Sequence, residues 1–268
     1  MSNRIITTLL LSLLLLNTIS YAQPGNKPKK KNHTFYASWG YNKEWYTNSS
    51  VHVSQPELNN HYTLRHVTAS DHPGWDEKSV FKQQFTIPQY NYRLGYMFNE
   101  ARGMGVEINF DHTKYIIDEG QIVNLDGTLN GQPTNINIIF NHANGFYYYL
   151  NNGANFLLFN FVKRWRLLND KKEYIKVDLF GKAGIGPVIP HVENSFFHQG
   201  NEPHFQIGGW NAGVEGALRV TLFKYGYIEY CNKLDYARYS GLKIYKGKVH
   251  QNFGTYEMVL NIGASIPL

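Results

Sequence analysis

Cysteine is almost missing from this 268-residue chain, where Cys231 stands alone. A disulfide framework within the chain is therefore impossible, and stability must come from backbone pairing and packing. Long apolar runs are missing as well. Beyond residue 22 no stretch reaches the roughly 18 consecutive apolar residues of a membrane-crossing helix. Helical periodicity of useful length is absent, and so is any clear internal repeat. Nor does one sign of charge dominate: 26 Lys and Arg against 20 Asp and Glu leave a formal +6. Part of that excess lies in KPKKK at residues 27–31, which reads as a solvated tail.

What is abundant points to β-structure. The chain holds 20 Tyr, 16 Phe, 5 Trp and 24 Gly. Aromatic residues favour strands, and glycines allow close approaches and tight bends. The first residues form an export signal: Arg4 supplies the positive start, residues 5–16 an apolar core, and Ser20-Tyr21-Ala22 the small residues of a cleavage site. No cysteine stands at that site, so a lipoprotein is not expected. The expected organisation is a signal peptide at 1–22, a basic periplasmic tail at 23–33 and a β-domain at 34–268. Export also removes nucleic acid as a partner.

Alternation of period two marks eight main strands, at about 34–46, 86–98, 103–117, 155–168, 173–189, 204–221, 225–239 and 251–267. Three connections are tight: NEAR at 99–102, NDKK at 169–172 and LFK at 222–224. Between them lie long polar segments at 47–85, 118–154, 190–203 and 240–250. Short turns alternating with long loops suit a membrane barrel, with turns on one side and loops on the other. Both chain ends then fall on the short-turn side, which requires an even strand number. The strands are also longer than the five or six residues usual in globular sheets.

Each strand separates into two faces. Met104, Val106, Ile108 and Phe110 oppose Gly105, Glu107, Asn109 and Asp111. Ile228, Tyr230, Leu234 and Tyr236 oppose Glu229, Cys231, Lys233 and Asp235. In the last strand Met258, Leu260 and Ile262 oppose Glu257 and Asn261. Strand 155–168 alternates less cleanly, and its facing stays open. Two architectures fit this pattern, a soluble sandwich and a barrel with lipid outside and a polar lumen within. On the barrel reading the inward set collects a charge network of Arg93, Glu107, Asp111, Glu215, Arg219, Glu229, Lys233, Asp235 and Glu257, joined by Lys176, Asp178 and Lys182. The tight turn at 99–102 sets Arg93 opposite Glu107 or Asn109. Aromatic residues at strand ends favour the barrel: Trp39, Trp45, Tyr115, Trp165, Tyr225, Tyr227, Tyr236 and Tyr239 are expected in interfacial girdles.

The signal, the strand and turn pattern and the closing strand YEMVLNIGASIPL at 256–268 resemble the small outer-membrane β-barrel proteins of Gram-negative bacteria. The resemblance implies an all-β, antiparallel transmembrane β-barrel of about eight strands, with short periplasmic turns and long extracellular loops. It also implies a place in the cell outer membrane, with outer-membrane lipid and lipopolysaccharide as surroundings. The final residue, Leu268, departs from the aromatic that ends many such barrels. Eight strands enclose a lumen just wide enough to be filled by side chains, so a general diffusion pore is not expected.

The expected role is structural or surface-binding, through the large loops, with a surface ligand left unnamed. Two alternatives stay open, a narrow channel for small solutes and a lipid-modifying acyl hydrolase. The second rests on FNHANGF at 140–146, where His142 faintly resembles the histidine-centred motif of lipid A deacylases. Those enzymes place a serine nucleophile two residues later, where this chain has Asn144, so an attacking hydroxyl is missing. Asp111 and His112 are neighbours on a strand and point to opposite faces. The loop histidines His52, His61, His66 and His72, with Asp71, lack a recognised metal-ligand spacing. GKAGIGP at 181–187 has no helix after it, so its glycines serve strand packing rather than phosphate binding. Cys231 has no evident histidine partner and reads as a buried lumenal thiol. No cofactor or metal is expected.

Overall fold

A computed structural model describes residues 33–72, 89–170 and 174–268. The expected export signal at 1–22, nearly all of the expected basic tail at 23–33, residues 73–88 of the first loop and part of the turn at 169–172 lie outside the described residues. Among the described residues, eighteen strand segments form one continuous antiparallel sheet. Eight of them close a ring: β1 (Thr34–Tyr46), β5 (Tyr90–Asn99), β6 (Met104–Asp111), β11 (Phe156–Asn169), β12 (Ile175–Pro187), β16 (Gly209–Leu222), β17 (Gly226–Ile244) and β18 (Gly247–Pro267). Each pairs with the next in that order, and β18 pairs with β1 from Thr34↔Pro267 to Tyr46↔Thr255. The closing strand thus has no free edge, which removes the liability an open sheet would carry.

The remaining segments stand on the long-loop end. They are β2 (Ser49–Gln55), β3 (Asn60–Val67), β4 (Ala69–Ser70), β7 (Tyr115–Ile117), β8 (Ile122–Leu129), β9 (Gln132–Ile139), β10 (Tyr147–Leu150), β13 (His191–Phe196), β14 (Gln199–Gly200) and β15 (His204–Phe205). They extend the wall: β2 pairs with the outer part of β18, β3 with β2, β8 with β3 and β9 with β8. On the other side β7, β10 and β13 pair in turn. The loops at 47–85 and 118–154 therefore contain ordered hairpins.

Several expected boundaries move. The segment 240–250 is not a polar loop but the tip of a hairpin, because β17 and β18 continue to Ile244 and Gly247. Strand 103–117 divides at Asp111, and Tyr115–Ile117 leaves the ring to pair with β4 and β10. Strand 204–221 begins in the ring only at Gly209, while His204–Phe205 pairs with β13. Each change occurs at the loop end, where the chain stops serving the ring and builds the external sheet.

The facing is explicit in β17 and β18. In the ring Ile228, Leu234, Leu260 and Ile262 point outward and are 48–66% exposed, while Glu229, Lys233, Glu257 and Asn261 point inward with no more than 1% exposed. In β11, whose facing the sequence left open, Phe159 and Phe161 point outward and Asn160 and Val162 inward. An apolar exterior around a charged interior inverts a soluble sandwich; the fold is a transmembrane β-barrel.

Candidate functional site: a filled lumen and an external sheet

Three layers fill the barrel from the short-turn end upward. The lowest is aromatic. Tyr36 of β1, Phe180 of β12 and Tyr227 of β17 surround the Arg219 guanidinium of β16, whose carbon lies 4.3, 4.3 and 3.9 Å from their ring centres. Such cation–π contacts are strengthened where water is excluded. Glycine makes the room: a Cβ on Gly95 would lie 2.0 Å from the Tyr36 ring, and one on Gly263 2.4 Å from the Tyr227 ring. Both glycines sit opposite these tyrosines in register. Tyr227 was expected in the outer girdle; it plugs the lumen instead, because its position shares parity with Glu229.

The middle layer is ionic and buried. Lys182 reaches three carboxylates from three other strands, Glu107 at 3.0 Å, Glu215 at 2.8 Å and Glu229 at 3.1 Å. Glu229 also binds Arg219 at 2.7 Å, and Glu107 accepts a 2.8 Å hydrogen bond from the Tyr36 hydroxyl. Arg93 pairs closely with Asp111 and lies 3.5 Å from Glu215. Its backbone partner is Asn109, as the tight turn implied. Lys233 binds Asp111 at 2.6 Å, Asp235 at 3.1 Å and Glu257 at 3.3 Å. Arg93, Glu107, Asp111, Glu215, Arg219, Glu229, Lys233, Asp235 and Glu257 are thus joined in one connected set of ion pairs, and of the three residues added to them Lys182 joins it. Glu44 of β1 also belongs near it, 2.9 Å from Asn42 and bonded to Tyr46 at 2.7 Å. Its alternation with Trp45 was the signal that could have found it. Asp178 sits lower, closely paired with Arg166 at the short-turn end.

The third layer is apolar and belongs to the external sheet. Phe253 lies against Tyr115 at 4.3 Å, and against Tyr46 and Tyr239 at 5.3 Å each. Val51, Leu64, Val123, Leu150, Val192 and Leu242 continue this core away from the ring. Tyr115 and Tyr239 were also expected in the girdle, and both are interior. The reason is physical: above Asp235 the inward positions of β17 become Ala237, Tyr239 and Leu242, so inside and outside exchange polarity. The girdle that remains at the loop end includes Trp45 beside Tyr256 at 5.5 Å and Trp210 beside Tyr236 at 5.8 Å. At the other end Tyr225 is exposed and Tyr174 lies 6.5 Å from Phe223.

The remaining candidates are dispersed. His142 lies in a short 3-10 turn of the external sheet, not beside a membrane strand. Its ring packs on Tyr147 at 4.2 Å and Tyr149 at 6.3 Å, while its backbone N–H donates to Glu119. Asp111 and His112 diverge as their parity requires. Asp111 enters the lumenal network, and His112 stacks on Tyr90 at 4.6 Å with Nδ1 donating to Asn155. Burial holds the His112 imidazole below its ordinary pKa; the Asn155 hydrogen bond opposes this, and Lys114 adds to it. Among the loop histidines, His52 faces Thr63, His61 approaches Ser54, and Asp71 accepts the Glu44 backbone N–H at 2.7 Å. Among the described residues, the cluster with ligand atoms in mutual reach is Glu215, Glu229 and Cys231. The Lys182 ammonium already stands against both of its carboxylates, so a cation's place there is taken. In GKAGIGP a Cβ on Gly184 or Gly186 would collide with β11, consistent with close strand packing.

No family model and no curated protein matches the chain. Among solved structures it is similar to the outer membrane protein OprG from Pseudomonas aeruginosa, at 11% identity and a TM-score of 0.44, covering 88% of this chain and 97% of that one. It is also similar to Ail, the attachment invasion locus protein of Yersinia pestis, at 13% identity and TM-score 0.31, covering 89% and 100%. A third is the outer membrane protease OmpT from Escherichia coli, at 8% identity and TM-score 0.37, covering 92% and 99%.

Proposed function

We propose that this transmembrane barrel is an integral outer-membrane protein, an anchor whose external sheet serves a structural or surface-binding role. The carrying observation is the exchange of polarity along β17 and β18. Below Tyr236 and Tyr256 these strands are apolar outside and charged inside; above them they are polar outside and apolar inside. A lipid layer beside the lower part and water beside the upper part account for both halves. On this reading residues 1–22 are the export signal, 23–33 a periplasmic tail, and the short turns face the periplasm.

The filled lumen supports an anchor over a channel. At the level of Lys182 and Arg93 the inward side chains of the ring are almost wholly buried. A lipid-modifying hydrolase would need a hydroxyl beside His142, whereas that ring packs on two tyrosine rings and Asn144 stands at the serine position of the resembled motif.

The test has two parts. Purified protein in detergent should run faster on gels before boiling than after it, and labelling of intact cells should reach Lys248 but not Lys182. A protein recovered entirely in the soluble fraction would defeat the proposal. Steady conductance in planar bilayers would replace the anchor with a channel.

A further inference from the structure

The polarity exchange also creates a specific surface. On β17 the outward residue after the girdle tyrosine Tyr236 is Arg238, which is exposed and directly opposite Asn252 of β18. Two residues farther out on β18, His250 faces His52 of β2 across the ladder. Together with Tyr236, Ser240 and Asn252 they line a cavity of 270 Å³ on the outer face of the wall.

The cavity is built by a register shift in the ladder between Tyr239 and Leu242, at Gly241 with φ of +69°. Bulges of this kind re-aim side chains. Here the Gly241 N–H donates to His250 Nδ1 at 3.2 Å, which leaves Nε2 as the ring's N–H donor. His52 is fixed from its other side by the 2.9 Å contact of Nδ1 with Thr63. Its pKa is held down by desolvation first, and further by His250 across the ladder and the Arg65 cation.

The charges on this face are unbalanced. Arg65 is neutralised by Asp126 at 2.5 Å, but among the described residues no carboxylate pairs with Arg238. Lys248 adds a further exposed cation on the same face of β18. At a strand rise of about 3.4 Å per residue, Arg238 lies roughly 7 Å beyond Tyr236 along the strand, or about 5 Å in height for a tilted barrel stave. Girdle aromatics sit at the level of the lipid headgroups, so a cation just beyond Tyr236 stands beside them.

We propose that Arg238, His250 and His52 form a binding site for a phosphate group of the phosphorylated glycolipid headgroups beside the barrel. The proposal rests on the outer-membrane reading and names the lipid chemistry that the external sheet engages. An arginine fork matches phosphate oxygens with two parallel hydrogen bonds, and the His250 Nε2–H supplies a third donor from the neighbouring strand. Asn252, between them, can donate its side-chain amide. The site would hold the hairpin tip against the bilayer surface and orient the external sheet.

The test uses the full chain refolded in detergent, with native mass spectrometry of bound lipid. Bis-phosphorylated lipid A and the same lipid without phosphate are the probes. The wild type should retain the phosphorylated lipid about tenfold better, a difference of ~1.4 kcal/mol. The Arg238→Gln/His250→Gln pair should abolish most of that preference while leaving heat-modifiable migration unchanged. Lys224→Gln, at the opposite end of the barrel, should leave it intact. Equal retention of both lipids, or an unaltered preference in the double variant, would overturn the site. Displacement of the lipid by excess inorganic phosphate alone would also overturn it, as a free-phosphate site. Failure of the wild type to show heat-modifiable migration would instead strike the membrane reading on which the site depends.

Discussion

One pair of strands, β17 and β18, runs through both halves of this molecule and changes character between them. In the ring their inward residues include Glu229, Lys233, Glu257 and Asn261, and lipid-facing positions carry Tyr230, Leu234, Leu260 and Ile262. In the external sheet the inward residues are Tyr239, Leu242, Val249 and Phe253, and the outward ones are Arg238, Lys248, His250 and Asn252. Backbone pairing is the same in both. What differs is the solvent outside and the space inside. Around the ring there is no water to solvate a polar exterior, so charged groups turn inward and satisfy one another. Above it water covers the wall, and burying apolar surface again drives the packing.

The ionic half should be the more easily broken by one substitution. Lys182→Met leaves Glu107, Glu215 and Glu229 facing one another without their shared cation. Breaking a buried ionic group in this way should cost about 3–5 kcal/mol, measured as a lower urea midpoint of the heat-modifiable form. The apolar half should answer differently. Phe253→Ala opens a hole between Tyr115, Tyr46 and Tyr239, and core aromatic truncations cost ~3–5 kcal/mol. Here the loss should be confined to the external sheet, with faster chymotrypsin cleavage within residues 47–72 and 118–154 while heat-modifiable migration survives.

A sharper comparison keeps to one strand. Leu260→Arg places a charge on the lipid face of β18 and should destabilise the barrel by about 2–4 kcal/mol at mid-depth. Asn252→Arg, on the same face but above the girdle, should change the stability read from the urea midpoint by only ~0–1 kcal/mol. Equal effects at the two positions would remove the membrane boundary from where Tyr236 and Tyr256 place it.

The smallest expected effect concerns pH. His112 is held below its ordinary pKa in the folded protein chiefly by burial, so it remains neutral where the unfolded chain already takes up a proton. Its contribution is therefore present above the unfolded histidine pKa of about 6.5 and is lost as pH falls from there through the folded value. Protease protection of residues 113–155 should decline over that window in the wild type. The decline should be shallower in His112→Asn, even if that variant is less protected overall.

Much of this was legible because a barrel stave obeys a strict parity. The facing of Glu107, Asp111, Glu229, Lys233 and Glu257 followed from alternation alone, and the tight turn at 99–102 narrowed the partner of Arg93 to Glu107 or Asn109, of which the register selects Asn109. Tyr115, Tyr227 and Tyr239 were misassigned for one reason: aromatic residues at strand ends suit a girdle and a plug equally well, and only parity relative to the lumen separates them. The pairing of His52 with His250 had no local signal, since it joins opposite ends of the chain through a ladder beyond the ring.

The amino-acid sequence by itself pointed to about eight main strands, to which ends carry the turns, and to which residues share a face, because these follow from period-two alternation and turn chemistry within short windows. Tertiary structure alone decided that Lys182 gathers three carboxylates, that Arg219 sits in an aromatic box, and that β17 and β18 outgrow the ring to create the Arg238–His250 surface. Those depend on register between strands distant in sequence and on the height at which the surroundings of the wall change. Neither is encoded in any single stretch of chain.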